Sequence, residues 1–414
     1  MDAVPLSRCP VLDPTATAPH EEAAGLRARG PAVRVELPGG VIAWSVTRYD
    51  VIRALTADPR VSRDPYRHWP GRAHVPEGWA LRTVALQRSF VNAYGSQHHE
   101  RRRRVSVSFS PRRVEAMRPR VQATSEALVD GMARLAPGER TDLRQALSRP
   151  LTVTVICDLF GVPEAMRERI AGGVDAILDT AASPERARAN HAELQAGLIE
   201  LLRHKRRHPG PDLVGDLLAP HGDAGPLPEQ EVIDTLFLML GAGFETAVNL
   251  ITSAVHALLA HPRHVDLVRG GVIGWNDVIE ETLRHEGPVM HLPLRYAVED
   301  IDLGEGVLIR GGDPILLAFA AAGRDPAVHP TAPDEFDPTR ADKRHLAFGH
   351  GTHFCLGAHL ARLETDIALR TLFGRLPAVA LADPGRPPAR VASFMVNGPD
   401  ELIVVPHPVT DRAG

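Results

Sequence analysis

Three cysteines in 414 residues, Cys9, Cys157 and Cys355, exclude a disulfide framework, and so odd and sparse a count suits a reducing compartment. Charge of one sign is equally scarce. Lysine and arginine total 47 against 51 acidic residues, a net charge of −4, so no general attraction to nucleic acid is expected. No run of about eighteen uncharged apolar residues occurs. The nearest candidate, around Leu236 to Leu259, contains Glu245 and Asn249. Met1 to Pro19 lacks the basic-then-apolar order of a signal peptide. A cytoplasmic protein that neither enters a membrane nor binds nucleic acid is the expectation. A flavin or nicotinamide fingerprint and a fused reductase are also missing.

Apolar residues are plentiful at 44%, enough for a large buried core. Length alone would suggest two or three domains. Val33–Leu37 and Val41–Val46 read as strands around the turn signal Pro38-Gly39-Gly40. Thr47 is placed to cap a helix through Val51, Ile52 and Leu55. Asp64 to Trp79, rich in Pro, Gly and His, reads as an irregular loop. Helical patterns dominate from Ser96 to Leu202, with breaks at Pro111, Pro137-Gly138, Gly161-Val162-Pro163 and Ser183-Pro184. Lys205 to Pro211 reads as a solvated basic turn. Strand signals return at Val307–Ile309, Ile315–Phe319, Val391–Val396 and Leu402–Val405. Strands, then many helices, then strands imply a mainly α fold with a minor β-rich lobe.

The most specific segment is Phe348–Gly357, Phe-Gly-His-Gly-Thr-His-Phe-Cys-Leu-Gly. Closely spaced glycines let backbone wrap a sulfur and aim N–H groups at it. The helix that follows, marked by Leu356, Leu360, Leu363 and Ile367, adds the favourable dipole of its N-terminus. That arrangement suits a thiolate metal ligand. Two other readings stay open on these residues alone: Cys355 as a buried core cysteine, and a zinc cluster with His350, His353 and His359.

Glu229 to His261 holds no proline and stops at Pro262, predicting a helix of roughly 50 Å. Its centre, Leu240-Gly241-Ala242-Gly243-Phe244-Glu245-Thr246, places two glycines and an acid in an apolar helix. Each internal glycine costs about 1 kcal/mol against alanine, which calls for a reason. Close helix packing with Glu245 in a local ion pair is one; a site for a small ligand is the other.

Together these residues resemble the cytochrome P450 family. Phe348, Gly349, Gly351, His353, Cys355 and Gly357 match its haem-ligand signature, and Ala242, Gly243, Glu245 and Thr246 match its oxygen-binding motif. The resemblance implies one P450 domain over residues 1–414, with a core at about 20–405 and an extended segment at 1–19. It implies haem b (iron protoporphyrin IX) with Cys355 as axial ligand. Phe348 and Gly349 would lie beside the sulfur, and Ala242 and Gly243 would make room at the iron. Glu245 would relay protons, and Thr246 would hydrogen-bond the bound oxygen. His98, Arg102, Arg295 and His353 would take the propionates. Glu281, Arg284 and Arg340 would form a buried network that fixes the cysteine loop. Phe90, Val91, Asn92, Gly243, Met290, His291, Phe394 and Val396 would line the substrate pocket, together with Ala242, Thr246 and Met395.

The implied activity is a monooxygenase that hydroxylates or epoxidises a bulky, largely apolar molecule of secondary metabolism: a macrolactone, steroid or cyclic dipeptide. Oxidative coupling of aromatic rings and a non-enzymatic haem sensor are the alternatives. Electrons would come from NAD(P)H through a separate ferredoxin and ferredoxin reductase. The docking face would be basic, with Arg101, Arg103, Arg104, Arg112 and Arg113 as candidates. The expected state is a monomer.

Overall fold

The structure, a computed structural model, describes residues 9–76, 79, 81–178, 182–219 and 227–409. Helices make up most of it. Phe90–Asn92, a short turn, leads into the helix Ser96–Ser106, and Pro111–Ala133, Arg149–Phe160, Glu164–Leu178 and Pro184–Arg207 follow. Pro111 and Pro184 sit in the first turns of their helices, where a missing N–H costs nothing. Gly161 ends its helix in the left-handed conformation, at φ 68°.

The helix Glu229–Ala260 runs through the centre of this body. Its partners include the helices Arg149–Phe160, Glu164–Leu178, Trp275–His285 and Ala358–Arg375. Its length and apolarity would suffice to cross a membrane, yet 72% of its most apolar window is buried inside the protein. Leu236, Leu240, Phe244 and Ile251 pack in one apolar cluster; Leu250, Ala254, Val255 and Leu258 pack in a second. The helix is therefore the shared spine of two cores.

The β-rich lobe is a five-stranded sheet in the order Val33–Leu37, Val41–Val46, Pro314–Leu317, Leu292–Ala297, Val61–Ser62. The first two strands have the expected bounds, and burial alternates along Val33–Leu37 as the period of two requires. Thr141–Asp142, Ile403–Val405 and Ala380–Leu381 form a second sheet. Leu308–Ile309 pairs with Ile301–Asp302.

Several local expectations fail for physical reasons. Arg48, not Thr47, precedes the helix Tyr49–Ala57, and no side chain caps it. Asp64 to Trp79 is not wholly irregular: Asp64 caps a short helix, Pro65–His68, by accepting from the N–H groups of Tyr66 and Arg67. Lys205 lies inside a helix, buried and ion-paired to Asp212, rather than in a solvated turn. Val391–Val396 forms no strand, only an isolated bridge of Val396 with Val289. Of the segment expected to be extended, residues 1–8 lie outside the described residues; beyond them Val11 bridges Glu36, and Pro19 starts a helix.

Candidate active site

Cys355 sits at the end of a tightly folded loop. Its N–H donates to the Phe348 carbonyl at 2.9 Å, which closes the loop on itself. Gly351 has φ 72°, and a Cβ there would stand 2.5 Å from the Thr56 carbonyl oxygen, so only glycine fits. Cys355 is accessible and lines a cavity. Burial raises its thiol pKa; the N–H groups of Gly357 and Ala358 and the cations Arg102 and Arg362 act the other way. Arg362 stands 4.5 Å over the Phe348 ring and is itself anchored to Glu280 at 2.6 Å. His359 turns away to Glu115 at 3.1 Å. Among the described residues no group of three His, Cys, Asp or Glu is placed to hold a metal ion, so the zinc reading has no geometric support.

The central helix forms another wall of the same cavity through Gly241, Ala242, Gly243, Thr246 and Ala247. A Cβ on Gly243 would come within 3.0 Å of Ile156, so the glycine permits close helix packing. The Thr246 hydroxyl donates to the Ala242 carbonyl at 2.6 Å. Glu245 is absent from the cavity wall. Its carboxylate, buried, accepts from Arg144 at 2.6 Å, and Arg144 also donates to Asn249 at 2.6 Å and to the Pro399 carbonyl at 3.2 Å. Burial raises the Glu245 pKa, and Arg144 opposes that shift.

Basic side chains gather at the cavity. Arg102, Arg295 and His353 line it; His98 stands just behind, its ring 4.1 Å from that of His353. His98 Nε2, His353 Nδ1 and Arg295 Nη1 are buried without a partner. Burial lowers the His98 pKa to about 4 and also lowers that of His353, so both rings are neutral at pH 7. Arg295 is anchored on the strand Leu292–Ala297, and Arg102 donates to the Phe354 carbonyl at 2.5 Å.

The expected pocket residues divide. Phe90, Val91, Ala242, Gly243, His291, Met395 and Val396 line the cavity. Asn92, Met290 and Phe394 do not. Asn92 is buried because its amide serves the carbonyls of Val84 and Gln87, at 2.9 and 3.1 Å. Met290 packs against Ala23, Ala318, Ala320 and Ala321. Phe394 joins the β-lobe core with Trp69, Trp79 and Tyr296, while its carbonyl pairs with His291 Nδ1 at 2.8 Å. Near the docking candidates, Arg104 is buried, Arg101 is paired to Glu231 and Arg113 to Asp216. Arg103 and Arg112 remain exposed.

Glu281 and Arg284 are fully buried and bidentate, at 2.7 and 2.8 Å. Arg284 also donates to the carbonyls of Gly323, Pro333 and Glu335. Arg340 brings its Nε to 3.6 Å from Glu281 and donates to the carbonyls of Thr331 and Ala332. The three expected members do meet.

Two residues were missed. Arg63 lines the cavity at 3% exposure and has an unpartnered Nε. Glu364 lines it at 1% exposure with Oε2 unpartnered, and burial raises its pKa well above the usual range. A signal for Glu364 was available: it stands four residues after Leu360, on the buried stripe of its helix. Arg63 gives no such signal, because the two-residue strand before it is too short to show a period.

The donor set tests whether haem fits. An open sulfur, a glycine-lined helix wall and unpartnered guanidinium and imidazole nitrogens at the cavity match an iron porphyrin with two carboxylates. Cys355 would bind the metal, and Arg102, Arg295, His98 and His353 the propionates.

Comparison with known proteins agrees. The family model for cytochrome P450 matches residues 275–387. The chain is 43% identical over 399 residues, 96% of its length and 97% of the relative's, to 2-hydroxy-5-methyl-1-naphthoate 7-hydroxylase of Streptomyces carzinostaticus. It is 36% identical to the 6-deoxyerythronolide B hydroxylase of Saccharopolyspora erythraea, covering 92% of this chain and 94% of that one. The solved structure of CYP154A1 from Streptomyces coelicolor superposes with TM-score 0.93 at 47% identity, covering 96% and 100% of the two chains.

Proposed function

The chain belongs to the cytochrome P450 family, and from that membership we propose that it oxygenates a fused-ring or macrocyclic molecule of secondary metabolism. It is a haem-thiolate monooxygenase, and its electrons come from NAD(P)H through separate redox proteins. The observation behind the substrate class is the cavity itself. Cys355 and Thr246 share it with Phe90, Phe160 and Phe237 and with the aliphatic side chains of Ile156, Ile177 and Val289. Such a wall excludes water and suits a bulky apolar ligand. The names of relatives support this choice: one hydroxylates a naphthoate, another 6-deoxyerythronolide B.

Haem, when bound, supplies oxygen activation, with the thiolate pushing electron density to the iron and favouring O–O cleavage. The chain supplies position and protons. The Cys355 loop fixes the sulfur. Thr246 offers a hydroxyl in an otherwise apolar wall, and rotation about its Cα–Cβ bond turns that hydroxyl from the Ala242 carbonyl into the cavity. Glu245 is the proton source. Burial favours its protonated form, and Arg144 holds its carboxylate until it turns toward Thr246. His291, held on the Phe394 carbonyl, presents its other ring edge to substrate.

The finer assignments follow the same reading. A ferredoxin, fed by its reductase, docks where Arg103 and Arg112 are exposed. The protein works as a cytoplasmic monomer, a single P450 unit.

The test is a panel of steroids, macrolactones, naphthoates and cyclic dipeptides, read by the absorbance shift of ferric haem on ligand binding. Turnover of a hit in labelled dioxygen should place one labelled oxygen in the product. A ring-coupled product without label would establish oxidative coupling instead. No ligand-dependent NADPH consumption with added ferredoxin and reductase would leave the sensor reading. Cys355→Ala should abolish the red-shifted Soret band of the reduced carbonyl adduct; retention of that band would remove Cys355 as ligand.

A further inference from the structure

Arg63 belongs to none of the expected sets, and its surroundings call for an anion. It directly follows the edge strand Val61–Ser62, which pairs antiparallel in the register Val61↔Ala297 and Ser62↔Tyr296. Continued by one residue, that register sets Arg63 opposite Arg295. Like charges at opposed strand positions repel. Here both are 3% exposed, so water screens them little.

Nothing in the described chain neutralises the pair. Arg63 Nη2 donates to the Pro293 carbonyl at 3.3 Å, and Arg295 stands 5.5 Å over the Phe319 ring. Arg63 Nε and Arg295 Nη1 have no partner, and among the described residues neither arginine has a carboxylate oxygen within 4.0 Å. Both line the same cavity as Arg102. Burial lowers the Arg63 pKa to about 10, which still leaves it charged at pH 7. Three guanidiniums thus line the cavity into which the haem reading brings two propionates.

We propose that Arg63 is a further propionate-binding residue, giving the cofactor three arginines in addition to His98 and His353. The proposal rests on the haem-thiolate reading and fails separately from it: a protein that binds no haem sinks both, whereas a haem protein indifferent to Arg63 sinks only this one. The other source of a carboxylate for Arg63 is an acidic substrate, and the test distinguishes the two.

The experiment uses haem-loaded parent, Arg63→Gln and Arg63→Lys. Gln keeps an N–H donor for the Pro293 carbonyl but carries no charge; Lys keeps the charge. The readouts are haem transfer to excess apomyoglobin and the propionate-bending band in resonance Raman spectra. Arg63→Gln should release haem about tenfold faster, the change expected from losing one charge-assisted hydrogen bond. Its bending band should shift, and Arg63→Lys should fall between it and the parent. Transfer within about twofold of parent and an unmoved band would overturn the proposal. So would unchanged haem release coupled to weakened binding of 1-naphthoate, which would assign Arg63 to substrate. If neither variant accumulates as folded protein, Arg63 is a scaffold residue and the proposal falls.

Discussion

Two buried glutamate–arginine pairs lie within this protein, and they are built differently. Glu281 and Arg284 are one turn apart on a single helix, fully buried and bidentate, and three backbone carbonyls also accept from Arg284. Glu245 and Arg144 come from distant parts of the chain, both side chains 9% exposed, and meet through one 2.6 Å contact. Arg144 divides its remaining donors between Asn249 and Pro399. The first pair has every charge closed and no route to the cavity. The second is one residue from Thr246, with burial favouring a protonated carboxyl. Under the proposed reading, the same two residue types serve permanence in one place and release in the other.

The sharpest way to break that contrast is Glu281→Gln. Stranding a buried guanidinium costs about 3–5 kcal/mol, so the urea midpoint should fall steeply. A loss no larger than that of a surface substitution would remove the distinction. Glu245→Gln should do the reverse. We expect roughly a hundredfold slower product formation, within the range of general acid catalysis, with a urea midpoint much closer to parent. Equal destabilisation by the two variants would show that both pairs are structural.

Thr246→Ala sharpens the release side. NADPH consumption should continue while the product share falls several-fold and peroxide rises in step; unchanged coupling would count against Thr246 as proton carrier. The smallest effect concerns Glu364, a buried acid with no cation paired to it among the described residues. Its folded pKa is raised, so its contribution to stability is present below the unfolded value of about 4.5 and is lost as pH rises through the folded value. Glu364→Gln should flatten the decline of stability from pH 5 to 9, read by chemical denaturation. A parallel curve would mean that the carboxyl is neutralised by another group.

Sequence reasoning succeeded where the physics is local. Pro38-Gly39-Gly40 fixed a hairpin with the right strand bounds, and the proline-free run from Glu229 marked the central helix. The cysteine loop was legible because its glycines answer to backbone constraints that no other residue meets. Failures came where the deciding contact is distant. Asn92, Met290 and Phe394 stand at pocket positions in the chain but turn into the core, satisfied by carbonyls or alanines elsewhere. Lys205 looked solvated because its partner Asp212 lies beyond a proline-bearing turn. Arg63 is brought to the cavity by a strand pairing that two residues cannot announce.

The contact between Gly351 and the Thr56 carbonyl has a practical side. It joins the Cys355 loop, near the end of the chain, to the helix Tyr49–Ala57, near its beginning, with no space for a side chain between them. Anyone recombining this sequence with its relatives should inherit both segments from the same parent. A chimera that splits them asks two backbones with separate histories to meet at van der Waals distance.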